Sequence, residues 1–419
     1  MIREEVISTM KKIRFIHAAD LHLDSPFKGL SHLPQKIFDQ IRKSTFQSLT
    51  SLINAAIDYQ VDFILLAGDL FDLEQRSLIA QATLRKEFMR LNEAGIQVYI
   101  IHGNHDYLTD NHILFKYPDN VHIFTEDVEC KPFLKDEEEL ACIYGFSYKQ
   151  RHMTRNMTGY YQIENKKVPF HIGMLHGNLS GREEHDPYAP FSISDLLDKE
   201  FHYWALGHIH KREILHHQPP IVYPGNIQGR HKKEQGDKGC YLVELFEDGT
   251  PKLQYIETSA IHWEELKIPI NGIQTVDQLM DETKKAVEAI RLDGKGKLLR
   301  LTYTGNGDLH GFLQDESHQE ELQLLLNEGE ENMYSFVYVY SLRMQTALTY
   351  SKEDLQDKTF YKDFYTMVDQ IDVKEALAPI LRHSEANRYM DSWDEEEQKE
   401  IVEEAERWLV SKFLESEKR

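Results

Sequence analysis

Five short segments of the chain carry side chains that could bind divalent metal ions. They combine carboxylate, amide and imidazole groups, a mixed oxygen and nitrogen ligand set that suits Mn²⁺ and related cations. Bound ions of this kind activate water for hydrolysis. The segments contain Asp20 and His22; Gly68 and Asp69; Gly103, Asn104, His105 and Asp106; His176 and Gly177; and Gly207, His208 and His210.

Each segment on its own has a simpler interpretation, because Asp, Asn and Gly are common in ordinary turns. Turn structure does not explain five such segments, each placed directly after a predicted strand. Residues two apart in an extended tip point the same way. Asp20 and His22 can therefore bind one ion together, and His208 and His210 can serve neighbouring ions. The combination predicts a metal site.

Alternating strand and helix patterns surround these segments. Short apolar runs at 13–18, 61–67 and 97–101 predict buried strands, and helical spacing of apolar residues fills 35–59 and 78–92. Continuous apolar strands separated by helices indicate a sheet that is covered on both faces. In open α/β sheets, ligands bind at the carboxyl ends of strands, which is where the five segments begin.

The chain divides into four regions by pattern. Residues 1–9 are expected to be a disordered tail. Residues 10–260 are expected to form an α/β sandwich, and short strands predominate in them after residue 120. Residues 261–345 follow a β-α-β-α-β order that predicts a small α+β domain. Residues 346–419 are helical in pattern, with two apolar stripes in an acidic background. The stripes contain Val373, Leu377, Ile380 and Leu381, and Val402, Ala405, Trp408, Leu409 and Phe413.

Composition limits the classes of function. The 419 residues carry a formal net charge of −22, which disfavours a simple nucleic-acid binder with a basic face. Two bound divalent cations would, however, dominate the local field at their site. The three cysteines are odd in number and show no C-x-x-C spacing, so they indicate neither a disulfide framework nor a zinc ribbon and fit a reducing cytoplasm. No apolar run is long enough to span a membrane.

The five segments resemble those of the calcineurin-like metallophosphoesterase superfamily. The resemblance implies that superfamily's sandwich of mixed sheets flanked by helices, here followed by a small α+β capping domain and C-terminal helices. It also implies two divalent ions, with Mn²⁺ preferred over Fe, Zn or Mg. Carried over by position, the ligands of the first ion would be Asp20, His22, Asp69 and His210, and those of the second Asp69, Asn104, His176 and His208.

The same resemblance gives His105 a catalytic role. It would face the phosphate without binding metal and donate a proton or hydrogen bond to the leaving oxygen. Asp106 would then either orient His105 or serve only to cap the turn.

A narrower resemblance links the chain to the DNA double-strand-break repair nucleases of the SbcD type, and within them to the YhaO group. It rests on Ala19, Asp20, His22 and Asp24; Gly68, Asp69, Phe71 and Asp72; Tyr223, Pro224, Gly225 and Asn226; and Lys238 and Gly239. The resemblance implies a DNA nuclease, with 3′–5′ exonuclease and single-strand endonuclease activity. Asp72 stands where archaeal and eukaryal members carry a histidine that helps to position DNA. That positioning therefore cannot be carried over.

Basic residues near the predicted ligands fit a polyanionic substrate. They are Lys211, Arg212, Arg230, Lys232 and Lys233. Their functional interpretation is phosphate binding, and the alternative is a solvated loop. Tyr107 and Tyr148 could stack on bases or simply pack in the core.

Two alternatives remain open at this stage. A phosphatase or cyclic-nucleotide phosphodiesterase can use the same scaffold, and a non-catalytic scaffold subunit could retain the fold. The family resemblance implies DNA and a coiled-coil SMC-like ATPase as partners, allows a homodimer, and implies no membrane. The helical stripes, with Trp408 as anchor, would dock that ATPase or would pack on the preceding domain.

Overall fold

In a computed structural model of the chain, the residues form two compact units. One unit combines residues 1–27 with 39–262, and the other combines 28–38 with 263–419. The tail expected at 1–9 lies outside the described residues. The structure describes residues 11–27, 29–30, 32–72, 77–108, 115–181, 188–348, 355, 357–381 and 395–417.

Twelve strands form the two sheets of the first unit. They are β1 (Lys12–Ala18), β2 (Phe63–Ala67), β3 (Gln97–Ile101), β4 (Val121–Ile123), β5 (Glu129–Lys135), β6 (Glu138–Gly145), β7 (Phe170–His176), β8 (Tyr203–Gly207), β9 (Glu213–His217), β10 (Pro220–Tyr223), β11 (Gly239–Phe246) and β12 (Pro251–Glu257). One sheet has the order β12-β11-β1-β2-β3-β4 and the other β5-β6-β7-β8-β10-β9.

Both sheets are mixed. In the first sheet, β1 to β4 run parallel, while β11 and β12 are antiparallel to their neighbours. In the second, β6, β7, β8 and β10 run parallel, and the edge strands β5 and β9 are antiparallel. The parallel strands end on the same side of each sheet, which brings the loops that follow them together.

Three helices accompany these sheets: α1 (Gln35–Asp58), α2 (Leu78–Glu93) and α3 (Ile193–Leu197). Side chains alternate between faces along a strand, so Phe15 of β1 packs between the two sheets while Ile16 packs with α1 and α2. Leu84 and Phe88 of α2 are fully buried in that outer layer. Each contributes about 1.5–3 kcal/mol by burial. The mixed sandwich flanked by helices confirms the predicted fold class.

The second unit contains a three-stranded sheet and six helices among its described residues. Its elements are β13 (Ile261–Pro269), α4 (Val276–Ala289), β14 (Gly296–Asn306), α5 (His310–Leu313), α6 (Glu316–Leu326), β15 (Val337–Ala347), α7 (Thr359–Asp369), α8 (Val373–Leu381) and α9 (Glu395–Glu417). The sheet order is β13-β14-β15, with β14 and β15 parallel. Val410 of α9 packs with Tyr361, Phe364 and Tyr365 of α7.

The structure contains one disulfide that the cysteine count did not indicate. Cys130 and Cys142 are joined in a disulfide across β5 and β6, with Cα atoms 5.9 Å apart. Cys240 is free and buried. The count of cysteines was misleading because it carries no information on which of them lie on adjacent strands.

Among the helices that the structure describes, none combines the length and the apolar character needed to cross a bilayer.

Candidate metal centre

The five segments lie at the carboxyl ends of β1, β2, β3, β7 and β8, and His176 and Gly207 are the last residues of β7 and β8. Backbone hydrogen bonds join the first two loops, since the N–H of Asp20 donates to Gly68 O at 3.1 Å and that of His22 to Asp69 O at 3.0 Å. Asp20, His22 and Asp69 have φ angles of 52°, 41° and 52°. Non-glycine residues adopt this left-handed backbone at a cost, and such strain clusters at functional sites.

Asp20, His22 and His210 form a first group of potential ligands. One ligand atom from each lies within 4.8 Å of the others, and the two Nε2 atoms of the histidines are only 3.1 Å apart. The Nδ1–H of His22 donates to Asp72 at 2.8 Å, and that of His210 donates to Glu234 at 2.6 Å. With Nδ1 protonated, both Nε2 atoms present lone pairs to each other.

Asp69, His176 and His208 form a second group, again with ligand atoms within 4.8 Å. Asn104 Oδ1 lies 3.0 Å from His176 Nε2 and 3.1 Å from His208 Nδ1. The Nδ1–H of His176 donates to Ala67 O at 2.9 Å. In its neutral form, His176 would therefore present an Nε2 lone pair to these oxygens as well.

These donor sets fit a pair of divalent cations. Facing lone pairs and carboxylate oxygens repel one another unless a cation lies among them, and nitrogen and oxygen ligands in this ratio suit first-row divalent metals. The structure thus brings all seven sequence-predicted ligands together in two adjacent groups.

Asp69 lies between the groups. Its Oδ1 accepts the backbone N–H of His105 at 2.9 Å. Its Oδ2 lies 3.8 Å from His22 Nε2 and 3.4 Å from His176 Nε2. One oxygen is therefore within reach of both groups, which supports the predicted bridging role. A Cβ at Gly103 would overlap Asp69 Oδ1 and His176 Nε2, so only glycine fits there.

Burial and charge shift the pKa values of these groups in the metal-free chain. Burial lowers the pKa of His176, but the charge of Asp69 outweighs burial and raises it to about 9. Burial would raise the pKa of Asp69, but His176 and His22 hold it well below its ordinary value. Burial raises the pKa of Asp20 to about 6 and lowers that of His22 to about 4. Protons must therefore leave His176, and at low pH Asp20, before ions bind.

His105 lies beside the first group, with its ring centre 5.2 Å from that of His22, and is the more open side chain. It leaves 32 % of its side chain exposed, whereas that of His22 is fully buried. Its Nδ1 lies 3.5 Å from Asp72 Oδ1. Asp72 also binds His22, so this carboxylate contacts both a potential ligand and the predicted proton donor.

The contacts of Asp106 favour the turn-capping interpretation over the orienting one. Its carboxylate accepts the N–H of Gly103 at 2.7 Å and of Leu70 at 2.9 Å, and it pairs with His102 at 3.0 Å. These contacts fix the turn that carries Asn104, which supports the turn-capping interpretation. The carboxylate that approaches the His105 ring is that of Asp72, which follows β2 and reaches across to the β3 loop.

The predicted substrate-binding residues divide into two sets. Lys211, Arg212 and Lys233 are exposed, Lys232 is half-buried, and the Arg212 guanidinium lies 4.0 Å from the ring centre of Tyr255. Arg230 instead turns inward and donates to both oxygens of Asp72 at 3.0 and 2.9 Å.

Neither tyrosine singled out in the sequence presents an open ring. Tyr148 is fully buried and donates its hydroxyl to His176 O at 2.7 Å. Tyr107 is half-buried against the outer core of the second sheet. Both positions favour the packing interpretation.

Sequence reasoning missed two supporting residues. Glu234 is buried behind His210. His17, also buried, joins the sheets: its Nε2–H donates to Leu206 O at 3.1 Å and its Nδ1 accepts from the Tyr203 hydroxyl at 2.9 Å. Burial lowers the pKa of His17 to about 3, so it is neutral. A glutamate after a basic run and a histidine inside an apolar strand carry no recognisable motif.

Comparison with known proteins agrees with this geometry. Residues 13–212 match the calcineurin-like phosphoesterase family. Residues 263–347 match the middle domain of metallophosphoesterase YhaO.

Individual relatives show the same kinship. The chain is 41% identical over 396 residues to the uncharacterized metallophosphoesterase YhaO of Bacillus subtilis, which covers 94% of this chain and 96% of that protein. It is 27% identical over 311 residues to the DNA double-strand break repair protein Mre11 of Sulfurisphaera tokodaii, covering 68% and 75% of the two chains. The Mre11 protein of Methanocaldococcus jannaschii is 28% identical over 245 residues, 55% of this chain and 62% of that one. With its two adjacent ligand groups, the chain belongs to the calcineurin-like metallophosphoesterase family, whose members hydrolyse phosphoesters at a dinuclear metal centre.

Proposed function

We propose that the chain is a two-metal-dependent DNA nuclease, acting as a 3′–5′ exonuclease with Mn²⁺ as the preferred ion. The observation that carries the hydrolytic part is the position of Asp69 Oδ2 between two groups of ligands. The Mre11 relatives, described as DNA double-strand break repair proteins, support DNA as the substrate. Nitrogen and oxygen ligands together support Mn²⁺.

Seven residues of the chain would hold the two ions that hydrolysis requires. Asp20, His22 and His210 would hold one ion, and Asn104, His176 and His208 the other, with Asp69 touching both. When bound, the two ions supply an activated water and neutralise the phosphate oxygens.

His105 supplies the remaining chemistry. Its imidazole is partly exposed beside the first group, where it would reach the leaving oxygen of a bound phosphate. There it donates a proton to the departing alkoxide, a contribution of about 10²–10⁴-fold to rate in comparable acid catalysis. Asp72 holds the ring from its Nδ1 side.

Exposed basic residues next to the ligands would bind the DNA backbone. Lys211 and Arg212 directly follow His210, and Lys233 lies on the loop before β11. In a chain with a net charge of −22, such local positive charge draws a polyanion to this surface rather than elsewhere.

We also propose that the C-terminal helices dock a coiled-coil SMC-like ATPase. Trp408 of α9 is 53% exposed although Val410 next to it is fully buried. Leu409 and Phe413 pack toward the same internal cluster as Val410. One face of α9 thus packs within its own unit, while a large aromatic side chain remains exposed. Tryptophan is enriched among the residues that dominate the energy of protein–protein binding. Ile380 and Leu381 belong to the first predicted stripe, and their side chains are not among those that the structure describes.

The test compares three substrates with the full-length chain and Mn²⁺: linear DNA labelled at either end, bis-p-nitrophenyl phosphate and p-nitrophenyl phosphate. We expect shortening of DNA from its 3′ ends and turnover of the diester. Asp69→Asn should abolish both, and Asp237→Asn, a matched change at an exposed carboxylate, neither. Turnover of the monoester with intact DNA would identify a phosphatase instead.

A further inference from the structure

A second layer of side chains lies behind the first ligand group. The ring nitrogens of His22 and His210 that face away from the ion site each donate to a different carboxylate. His22 Nδ1 binds Asp72 Oδ1 at 2.8 Å, and His210 Nδ1 binds Glu234 Oε1 at 2.6 Å. A carboxylate in this position fixes both the tautomer and the orientation of a metal-binding imidazole.

Arg230 connects these two carboxylates. Its Nη1 donates to Asp72 Oδ1 at 3.0 Å and to Oδ2 at 2.9 Å. Its backbone N–H donates to Glu234 Oε2 at 2.6 Å. With the 3.1 Å approach of the two Nε2 atoms, the five residues close into a ring: His22, Asp72, Arg230, Glu234 and His210.

The ring is largely shielded from water. The exposed fractions of the side chains are 11% for Asp72, 7% for Glu234 and 18% for Arg230. Asn226 Nδ2 also donates to Glu234 Oε2 at 2.8 Å, so each oxygen of that carboxylate is held. Partly buried carboxylates and a guanidinium depend strongly on each other, because removing one partner leaves the other charge uncompensated.

We propose that Arg230 and Glu234 are positioning residues for the first metal ion, and that Arg230 does not contact the substrate phosphate. The inference rests on the proposed two-metal function and deepens it. Glu234 directs the Nε2 lone pair of His210 toward the ion. Arg230 fixes the positions of Asp72 and Glu234 relative to each other, so that His22 and His210 point at the same ion. The turn from Arg230 to Glu234 is therefore part of the metal site.

This role separates Arg230 from its neighbours Lys232 and Lys233. A phosphate contact would leave ion binding unchanged when lost and would weaken DNA binding. A positioning residue would do the reverse: one of two ions would bind more weakly even with no DNA present. Changes to such supporting residues cost about 10–100-fold in metal affinity.

Calorimetric titration of the metal-free, full-length chain with Mn²⁺ alone tests this. The variants are Glu234→Gln, Arg230→Met and Arg230→Lys. Glu257→Gln is the matched control, since Glu257 also pairs with a buried histidine, His262 Nε2 at 2.7 Å, outside the ring. Thermal unfolding with a chelator checks that each variant is folded.

We expect Glu234→Gln and Arg230→Met to weaken one of the two Mn²⁺ sites by about 10–100-fold. The second site and the control should keep wild-type affinity. Arg230→Lys, which keeps the charge, should lose less than Arg230→Met. Wild-type affinity at both sites in Arg230→Met, or equal loss in Glu257→Gln, would overturn the proposal.

Two further outcomes are also decisive. If Glu234→Gln does not fold, Arg230→Met still decides, because it leaves the contact between His210 and Glu234 in place. The titration contains no DNA, so it tests the positioning role independently of nuclease activity. If the variants lose Mn²⁺ affinity as expected but the wild-type chain cleaves no DNA, the proposed nuclease function is refuted and the positioning role of Arg230 and Glu234 is not.

Discussion

At the scale of single residues, the histidines of the site fall into two kinds. His22 and His176 have fully buried side chains, and their Nε2 atoms face other ligand atoms. His105 leaves 32 % of its side chain exposed and approaches Asp72 from the side. The first kind is placed to bind ions, and the second is placed to meet a substrate.

Replacing His105 by alanine should therefore slow hydrolysis without removing metal. We expect turnover of bis-p-nitrophenyl phosphate to fall about 10²–10⁴-fold, the range for a lost proton donor. Elemental analysis should still find two ions per chain. His217→Ala, at an exposed histidine, is the control. Loss of an ion from His105→Ala would make His105 a ligand.

The pKa values predict how metal binding depends on pH. In the metal-free chain the pKa of His176 is raised to about 9, so this ring is protonated at neutral pH and must lose its proton to bind an ion. The affinity of the second ion should therefore rise with pH, by about tenfold per unit while one proton is displaced, and level off above about 9.

Asp20 adds a second step to the same curve. Its pKa of about 6 means that the first ion must also displace a proton below that pH. Calorimetry in buffers of different ionisation enthalpy counts the released protons directly. A proton count of zero between about pH 6 and 9 would contradict the role of His176.

The sequence predicted the residues that face the ions better than those that support them. Asp20, Asp69 and His176 follow strands at recognisable spacings, so their convergence followed from sheet geometry. Glu234 and His17 act through hydrogen bonds to residues in or after another strand. Such pairings depend on how loops pack in three dimensions, and local pattern contains no trace of them.

At the scale of structural elements, the loop before β11 has an inner and an outer part. Arg230 and Glu234 face the metal site, whereas Lys233 is exposed and Lys232 is half-buried. The two lysines should therefore bind the phosphates of the substrate.

Changing Lys232 and Lys233 together to alanine should weaken DNA binding and flatten its salt dependence. The slope of log affinity against log salt should fall by about 0.7–0.9 per lost phosphate contact. Hydrolysis of bis-p-nitrophenyl phosphate should stay at the wild-type rate, because that ester is too small to reach the loop. If both activities fall equally, the lysines support the site and do not select DNA.

Some elements escaped prediction for identifiable reasons. The edge strands β5 and β9 contain few apolar residues, and Pro132 in β5 is tolerated only at an edge. The β-α-β-α-β order predicted a single helix between β14 and β15, but the structure has two, α5 and α6, because Asp315 caps the second by accepting the N–H of Ser317 at 2.9 Å. The central strands β1, β2 and β3 were predicted closely because strands buried on both faces are continuously apolar.

At the scale of the whole molecule, strong acidity has to be reconciled with the proposed polyanionic substrate. The formal net charge of −22 repels DNA in general, so under the proposed function the metal ions and the nearby basic residues would select where DNA binds. The C-terminal helix α9, rich in glutamate, suits a protein partner better than DNA.

Trp408 gives the direct test of that partner surface. Trp408→Ala should weaken binding of the SMC-like ATPase by about 2 kcal/mol or more, as for other aromatic hot spots. It should change the free energy of unfolding by less than about 0.5 kcal/mol, since surface changes usually do. Val410→Ala, at a fully buried neighbour, should instead destabilise the chain by about 1–3 kcal/mol. Co-purification and chemical denaturation measure the two effects, and unchanged ATPase binding would place the surface elsewhere.

The central claim is that two ions sharing Asp69 hydrolyse DNA. One experiment measures it directly: Mn²⁺ is titrated into the metal-free, full-length chain while the cleavage of end-labelled linear DNA and the bound ions per chain are followed together. We predict that cleavage appears only as the second ion binds, and that Asp69→Asn binds both ions weakly and cleaves nothing. Full cleavage with one ion per chain, or wild-type cleavage by Asp69→Asn, would contradict the account.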